Sequence, residues 1–142
     1  LVVGKNPPGN LKKMIQFFKS GIYISIGNNP ARKSAVLAAD VALFISKLDY
    51  YSNGVYNLTD GYHPKIKEIE YKLFKIFKTK ILINIPKNII NIIFLFGTFL
   101  NFPFLNKKTF KKLTCDLTFD DSLARENIGW KSRKVLDYFD VT

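Results

Sequence analysis

With 142 residues, 47% hydrophobic and 23% charged, the chain has the size and composition of one ordinary folded domain, and an extended disordered segment is excluded. The formal net charge is +11, yet among the 22 basic residues only Arg32, Arg125 and Arg133 are arginine, and the lysines run along the whole chain beside Ile, Asn and Phe. Base and phosphate readout favours the arginine fork, so the lysine excess reads as a solvated surface and no nucleic-acid partner is expected.

The single cysteine, Cys115, excludes an internal disulfide framework and a cysteine metal cluster. A reducing compartment, the cytoplasm, is therefore the expected setting. Residues 1–19 do not carry the basic start, apolar core and small-residue cleavage site of a secretory signal.

In chain order, Leu1 to Gly4 reads as the end of a buried strand, and Pro7-Pro8-Gly9-Asn10 as a turn. Leu11, Met14, Ile15, Phe17 and Phe18 then fall at helical spacing, up to Gly21. Ile22, Ile24 and Ile26 alternate with Tyr23 and Ser25, the pattern of a strand with one covered face. A turn at Gly27 to Pro30 leads to a short strand over Lys33 to Leu37 and a helix from Ala38 to Leu48, with Asp40 in its first turn. Asn53-Gly54 turns the chain into a strand, Val55 to Leu58, closed by Thr59-Asp60-Gly61. His63-Pro64 opens a long helix to Lys78, and Ile81 to Ile85 is a strand.

The stretch from Ile81 to Leu105 is mostly apolar, but Pro86, Lys87, Asn91, Gly97, Asn101 and Pro103 interrupt it too often for a transmembrane span. A buried or half-buried helix from Pro86 to Asn101 is expected, stopped by Pro103. A basic helix follows over Lys107 to Leu113, then a short strand at Leu117 to Phe119. Asp120 or Asp121 caps a helix through Asn127, Gly129 supplies its left-handed stop before Trp130, and Val135 to Phe139 makes a last helical turn. There is no internal repeat and no low-complexity linker.

The chain holds no glycine-rich dinucleotide loop, P-loop, GxSxG or HExxH. His63 lies beside Pro64 in a loop, Cys115 reads as a small buried hydrophobe, and Asp120-Asp121 reads as helix capping before an acid pair. Tyr50-Tyr51 has no lysine three or four residues on, so it cannot form the Tyr-x-x-x-Lys pair of a reductase. No catalytic or metal-ligating residue is assigned.

Four segments, taken in order, point further. They are Pro8-Gly9-Asn10-Leu11, the run Ile22 to Asn28 with Arg32 to Val36 and Asp40-Val41-Ala42, the run Val55 to Gly61, and Thr118 to Arg125 with Ile128-Gly129-Trp130-Lys131. Together they resemble the C-terminal, substrate-binding part of extended short-chain dehydrogenases/reductases of the NAD-dependent nucleotide-sugar epimerase/dehydratase family. The resemblance implies an α/β fold: a small mixed sheet with helices, residues 1–7 ending a dinucleotide-binding sheet and residues 8–142 forming the substrate domain. It implies a fragment, with the N-terminal Rossmann half missing.

In that family the residues matching Asn10, Leu11 and Arg32 line a nucleotide-diphosphate pocket, and a residue of the Tyr23 strand packs near the base. The physics of these positions agrees, since a helix opening and an arginine fork both suit diphosphate oxygens. Phe110 and Leu113 stand where the family often has Arg and Asp, so Lys111 is the candidate replacement charge, and Ser132 stands in place of a proline. The resemblance further implies a nucleoside-diphosphate sugar as partner, NAD or NADP in the parent protein but none bound by this fragment, a homodimeric parent, and surface-polysaccharide biosynthesis as the pathway. Two rivals stay open: a non-catalytic basic module for RNA or a membrane surface, and an atypical reductase of a small non-nucleotide substrate. Calorimetric titration of these 142 residues with NAD and with NADP should show no binding in the micromolar range, because no helix start carries the required glycines.

Overall fold

The computed structural model describes residues 1–47, 54–100 and 107–141. Leu48, Tyr50-Tyr51, Asn53, Asn101 and Pro103, which enter the sequence reading, lie outside the described residues. The described residues form six α-helices, four short strands and one 3-10 turn, an α/β arrangement of helices with small sheets. They divide into two compact units, and the division falls inside the first helix, after Met14.

The first unit comprises residues 1–14, 33–64 and 118–142. Strand β1 (Val2–Val3) pairs in parallel with β3 (Val36–Leu37), so both are edges of a two-stranded sheet. Helix α2 (Ala38–Ile45) follows β3 without a loop, and α6 (Ser122–Ile128) and the 3-10 turn (Val135–Tyr138) complete the unit. The core forms around Trp130, which is buried with Val36 and Ala124 and covered by Val41, Phe44, Tyr56, Leu58 and Ile128. Phe44 meets the indole edge-on, with centroids 5.2 Å apart.

Gly129 ends α6 at φ 66°, and the Trp130 N–H then reaches back 3.0 Å to the Ala124 carbonyl, as a left-handed stop requires. The expected strand Val55 to Leu58 does not form. Val55 is 97% exposed, Tyr56 and Leu58 pack on the Trp130 cluster, and the Asn57 amide donates to the Asp120 carbonyl at 3.2 Å. The alternation there records packing of a covering loop, with no ladder among the described residues.

The second unit comprises residues 15–32 and 65–117. Strand β2 (Ile22–Ile26) pairs in parallel with β4 (Ile81–Ile85) over five register pairs. Both named sheets are therefore parallel, and Arg32 and Lys65 form an isolated antiparallel bridge. One face of β2 is covered, but it is the polar one: Tyr23 and Ser25 are buried, whereas Ile22 and Ile24 are exposed, in register with exposed Ile81 and Ile83.

Helix α3 (Ile66–Phe77) explains that choice. It buries Ile69 and Leu73 and also Glu70, whose carboxylate accepts the Tyr23 hydroxyl at 3.0 Å and the Ser25 hydroxyl at 2.6 Å. Lys67, one turn before, lies 3.3 Å from Glu70 and donates to Ser25. A carboxylate can enter the interior only with such partners, so the sheet presents its hydroxyls to it. The helix starts where the Glu68 carboxylate accepts the Lys65 N–H at 2.7 Å, and stops at Lys78 in the left-handed region.

Helix α4 (Lys87–Phe99) begins behind Pro86, as the sequence indicates, and buries Ile90, Phe94 and Gly97. Its other apolar residues are exposed, so the helix is covered on one side only. Helix α5 (Lys107–Thr114) packs Phe110 on Phe94, centroids 5.6 Å apart. The expected strand at Leu117 to Phe119 is reduced to hydrogen bonds, with the Leu117 N–H on the Arg32 carbonyl at 2.9 Å. Cys115 is exposed at the end of α5 and is not the small buried hydrophobe of a strand; its N–H bonds to the Lys111 carbonyl.

Glu70→Ala should cost about 2–4 kcal/mol in urea unfolding, because two buried hydroxyls and Lys67 lose their acceptor together. Glu70→Gln, which keeps one carbonyl oxygen, should cost visibly less. A loss below about 1 kcal/mol for the alanine variant would show that the cluster does not hold β2 to α3.

Candidate functional site

Helix α1 (Gly9–Lys19) opens after Pro7 and Pro8, with Gly9 at φ 65°. Asn10 is exposed in the first turn, and Leu11 beside it is fully buried and anchors that turn. The first turn of α1 holds no acidic residue, so no carboxylate of its own opposes an anion at the helix opening. Asn10 and Leu11 belong to the first unit.

Tyr23, Arg32 and Lys111 belong to the second. Arg32 sits in a tightly specified turn. The Asn29 side chain accepts the Ala31 N–H at 3.2 Å and donates to the Leu113 carbonyl at 2.9 Å, so the turn is fastened to the end of α5. The Arg32 N–H donates to the Asp116 carboxylate at 2.7 Å, and its carbonyl accepts Leu117. The backbone of Arg32 is thus held on both sides, and its side chain is half-buried.

Lys111 is exposed on α5, the helix to which the Arg32 turn is tied. Tyr23 is placed differently. Its ring stacks on Phe18, centroids 4.0 Å apart, and its hydroxyl is held by Glu70. Burial, then the Glu70 charge, pushes the phenol far above its ordinary range, so it stays protonated.

Asn29 and Asp116 escaped the sequence reading. Asn29 was legible as part of an Asn-Asn-Pro turn, while Asp116 carried only the signal of a lone acid after a run of lysines. Three further groups also escaped it: Glu70 with Lys67, Asp40 with Arg133, and Asp121 with Arg125. Asp40 is buried and accepts the Arg133 N–H and Nε at 2.8 Å each. Among the described residues no three His, Cys, Asp or Glu side chains gather as a metal site.

The segment that resembles a family loop, Thr59-Asp60-Gly61, is a knot of hydrogen bonds. The Thr59 carbonyl accepts the Trp130 indole N–H and the Ser132 hydroxyl, each at 2.8 Å. Its hydroxyl donates to Asp121 at 2.9 Å. Asp60 accepts the N–H groups of Tyr62, His63 and Val135. Gly61 is left-handed, which disfavours any side chain there, and a Cβ would also press on the tip of the Arg125 guanidinium at 2.8 Å. His63 pairs with the Ser34 hydroxyl at 3.1 Å.

The acids at the start of α6 divide the work. Asp121 stands at the N-cap of α6 but makes no capping bond with its side chain, which turns inward to Arg125 in a two-bond fork. Asp120, one residue earlier, accepts the Ser122 N–H at 3.0 Å, so the expected side-chain cap is replaced by a tight turn.

No family model and no curated protein matches the sequence. Solved structures do match the fold. A UDP-glucose 4-epimerase of Thermotoga maritima, crystallised with UDP-glucose, aligns over 97% of this chain and 40% of its own at 16% identity and a TM-score of 0.64. The Bordetella bronchiseptica enzyme WbmG, crystallised with NAD and UDP, aligns over 94% of this chain and 37% of its own, at 13% identity and a TM-score of 0.58. The chain has the fold of one part of a nucleotide-sugar epimerase. It spans about two fifths of the length of these enzymes. This epimerase-like fold carries the order of segments through which the sequence resembles the family.

Burial works against ionisation of Asp121, but the Arg125 fork and the Thr59 hydroxyl outweigh it and hold the carboxyl below its ordinary range. A depressed carboxyl stabilises the fold fully above the unfolded value of about 4 and loses that contribution as pH falls through the folded value. Asp121→Asn should therefore cost about 1–2 kcal/mol at pH 7 and flatten the acid limb of a stability-versus-pH curve. Parallel acid limbs for the two proteins would assign the acid sensitivity to other carboxylates.

Proposed function

We propose that residues 8–142 are the C-terminal, substrate-binding part of an NAD(P)-dependent nucleotide-sugar epimerase or dehydratase, with residues 1–7 ending its dinucleotide-binding sheet. The observation that supports this most is the match of 97% of the chain to an epimerase solved with UDP-glucose. Residues 10, 11, 23 and 32 are the positions that the resemblance of the sequence to the family assigns to the substrate pocket. As the family resemblance implies, Arg32 supplies a fork for the diphosphate, Asn10 a helix opening and Lys111 a point charge. Leu11 positions Asn10 from the core. Tyr23, turned inward, fixes the β2 strand and shapes the base side of the pocket through its position.

NAD or NADP does not fit these residues. The two helices that follow strands most closely are α2, which starts directly behind Leu37, and α4, which starts behind Pro86; neither offers a glycine-rich turn for a pyrophosphate. The hydride chemistry therefore belongs to the remainder of a longer enzyme, and this part binds and orients the sugar nucleotide. A homodimer acting in the cytoplasm, in surface-polysaccharide biosynthesis, completes the proposal.

In the intact enzyme, Arg32→Ala should weaken binding of a UDP-sugar by about 1.5–3 kcal/mol, the worth of a charged hydrogen-bonded fork. Arg32→Lys should recover part of this, since the charge stays and the fork is lost. Replacing Lys72 and Lys75 of α3 by glutamine should leave affinity nearly unchanged at two salt concentrations. Equal losses from Arg32→Ala and from the double lysine change would remove Arg32 from the pocket.

A further inference from the structure

The second unit holds 13 of the chain's basic residues against three acidic ones, a formal charge of +10 out of +11. The first unit, with nine against eight, is close to neutral. The charge that looks scattered along the sequence is thus collected on one unit by the fold.

The same unit exposes an apolar helix face. Ile89, Ile92, Ile93, Phe96, Phe99 and Leu100 recur at the three- and four-residue spacing of one helical stripe, and all six are exposed, Phe99 by 85%. Ile90, Phe94 and Gly97 form the opposite, buried stripe. An outward helix face in water is normally polar or charged, and this one is neither. Helix α5, packed on the inner stripe through Phe110, is the complement: Lys107, Lys108 and Lys111 are exposed on it. No helix is long and apolar enough to cross a membrane.

We propose that α4 lies in the surface of an anionic lipid bilayer, its Ile89 to Leu100 stripe in the acyl boundary and the lysines of the unit at the headgroups. Apolar area supplies insertion, to a depth of about 5–10 Å, and cationic charge supplies selectivity for anionic lipid. The charge argues against the other occupants. A second copy seated stripe to stripe on this unit would bring the same +10 against it and be repelled, so this face is not the one a homodimer would use. RNA selects arginine forks and stacking rings, whereas this unit has Arg32 as its single arginine and shows an outer stripe rich in isoleucine.

The test uses the intact polypeptide and vesicle flotation, with phosphatidylcholine alone or with about 30% phosphatidylglycerol, at about 0.05 M and about 0.3 M salt. Wild type should float with the anionic vesicles only, less at high salt. Ile92→Ser with Phe96→Ser should lower binding by about tenfold or more, with an unchanged thermal midpoint because both side chains are exposed. Lys87→Gln with Lys107→Gln and Lys108→Gln should lower it by a similar factor and remove most of the salt dependence. UDP-sugar affinity should be the same in all three proteins, so failure here is separable from failure of the nucleotide pocket.

Absence of flotation with anionic vesicles overturns the proposal, as does serine-variant binding equal to wild type. Light scattering that shows a dimer broken by the serine pair assigns the stripe to a second copy. Slow thiol labelling of a Phe96→Cys variant of the intact polypeptide without lipid assigns the stripe to the remainder of the polypeptide. Binding of a short RNA that depends on the lysines alone, without vesicle binding, assigns the charge to nucleic acid.

Discussion

Neither sheet of this protein is wide enough to stand by itself, and that constraint shapes both units. A two-stranded pair is marginal in water unless side chains from elsewhere hold it. Both units meet the need with buried carboxylates that collect donors from distant parts of the chain. Asp60 draws in the N–H groups of Tyr62, His63 and Val135, and Asp40 holds Arg133, so three separated segments of the first unit close on each other. Glu70 does the same for β2 in the second. Burying a carboxylate is costly, and each of these is occupied on both oxygens.

This economy explains how much could be read in advance. Helices were legible because periodicity, Pro86 and Gly129 are local signals, and α1, α3, α4, α5 and α6 form close to where they were expected. Strand β4 and strand β2 were legible for the same reason. What misled was alternation without a partner, as at Val55 to Leu58, and the alternation in β2 did not say which of its two faces is covered. Which face is buried depends on Glu70, some 45 residues away, and no local pattern carries that information.

The candidate site divides in the same way. Asn10 and Arg32 came to notice through the order of segments that the sequence shares with the family, to which a helix opening and a rare arginine add suitable chemistry. The groups that hold Arg32 in place, Asn29 and Asp116, are 87 residues apart by number, and only the fold unites them around one turn. Tyr23 was legible as a notable residue, but its commitment to Phe18 and Glu70 was not. A surface reading of the lysines was right in kind and incomplete in distribution, since most of their charge falls on one unit.

Trp130 has a practical consequence. It is the chain's single tryptophan, it is buried in the first unit, and its indole N–H is bound to the Thr59 carbonyl. Its emission therefore reports the opening of that unit and is blind to the second, whose described aromatic reporters are Tyr23, Tyr71 and phenylalanines. Fluorescence at the indole wavelength thus watches one unit while far-ultraviolet dichroism watches the helices of both, and any spacing between their transitions measures how tightly the two units share one folding event.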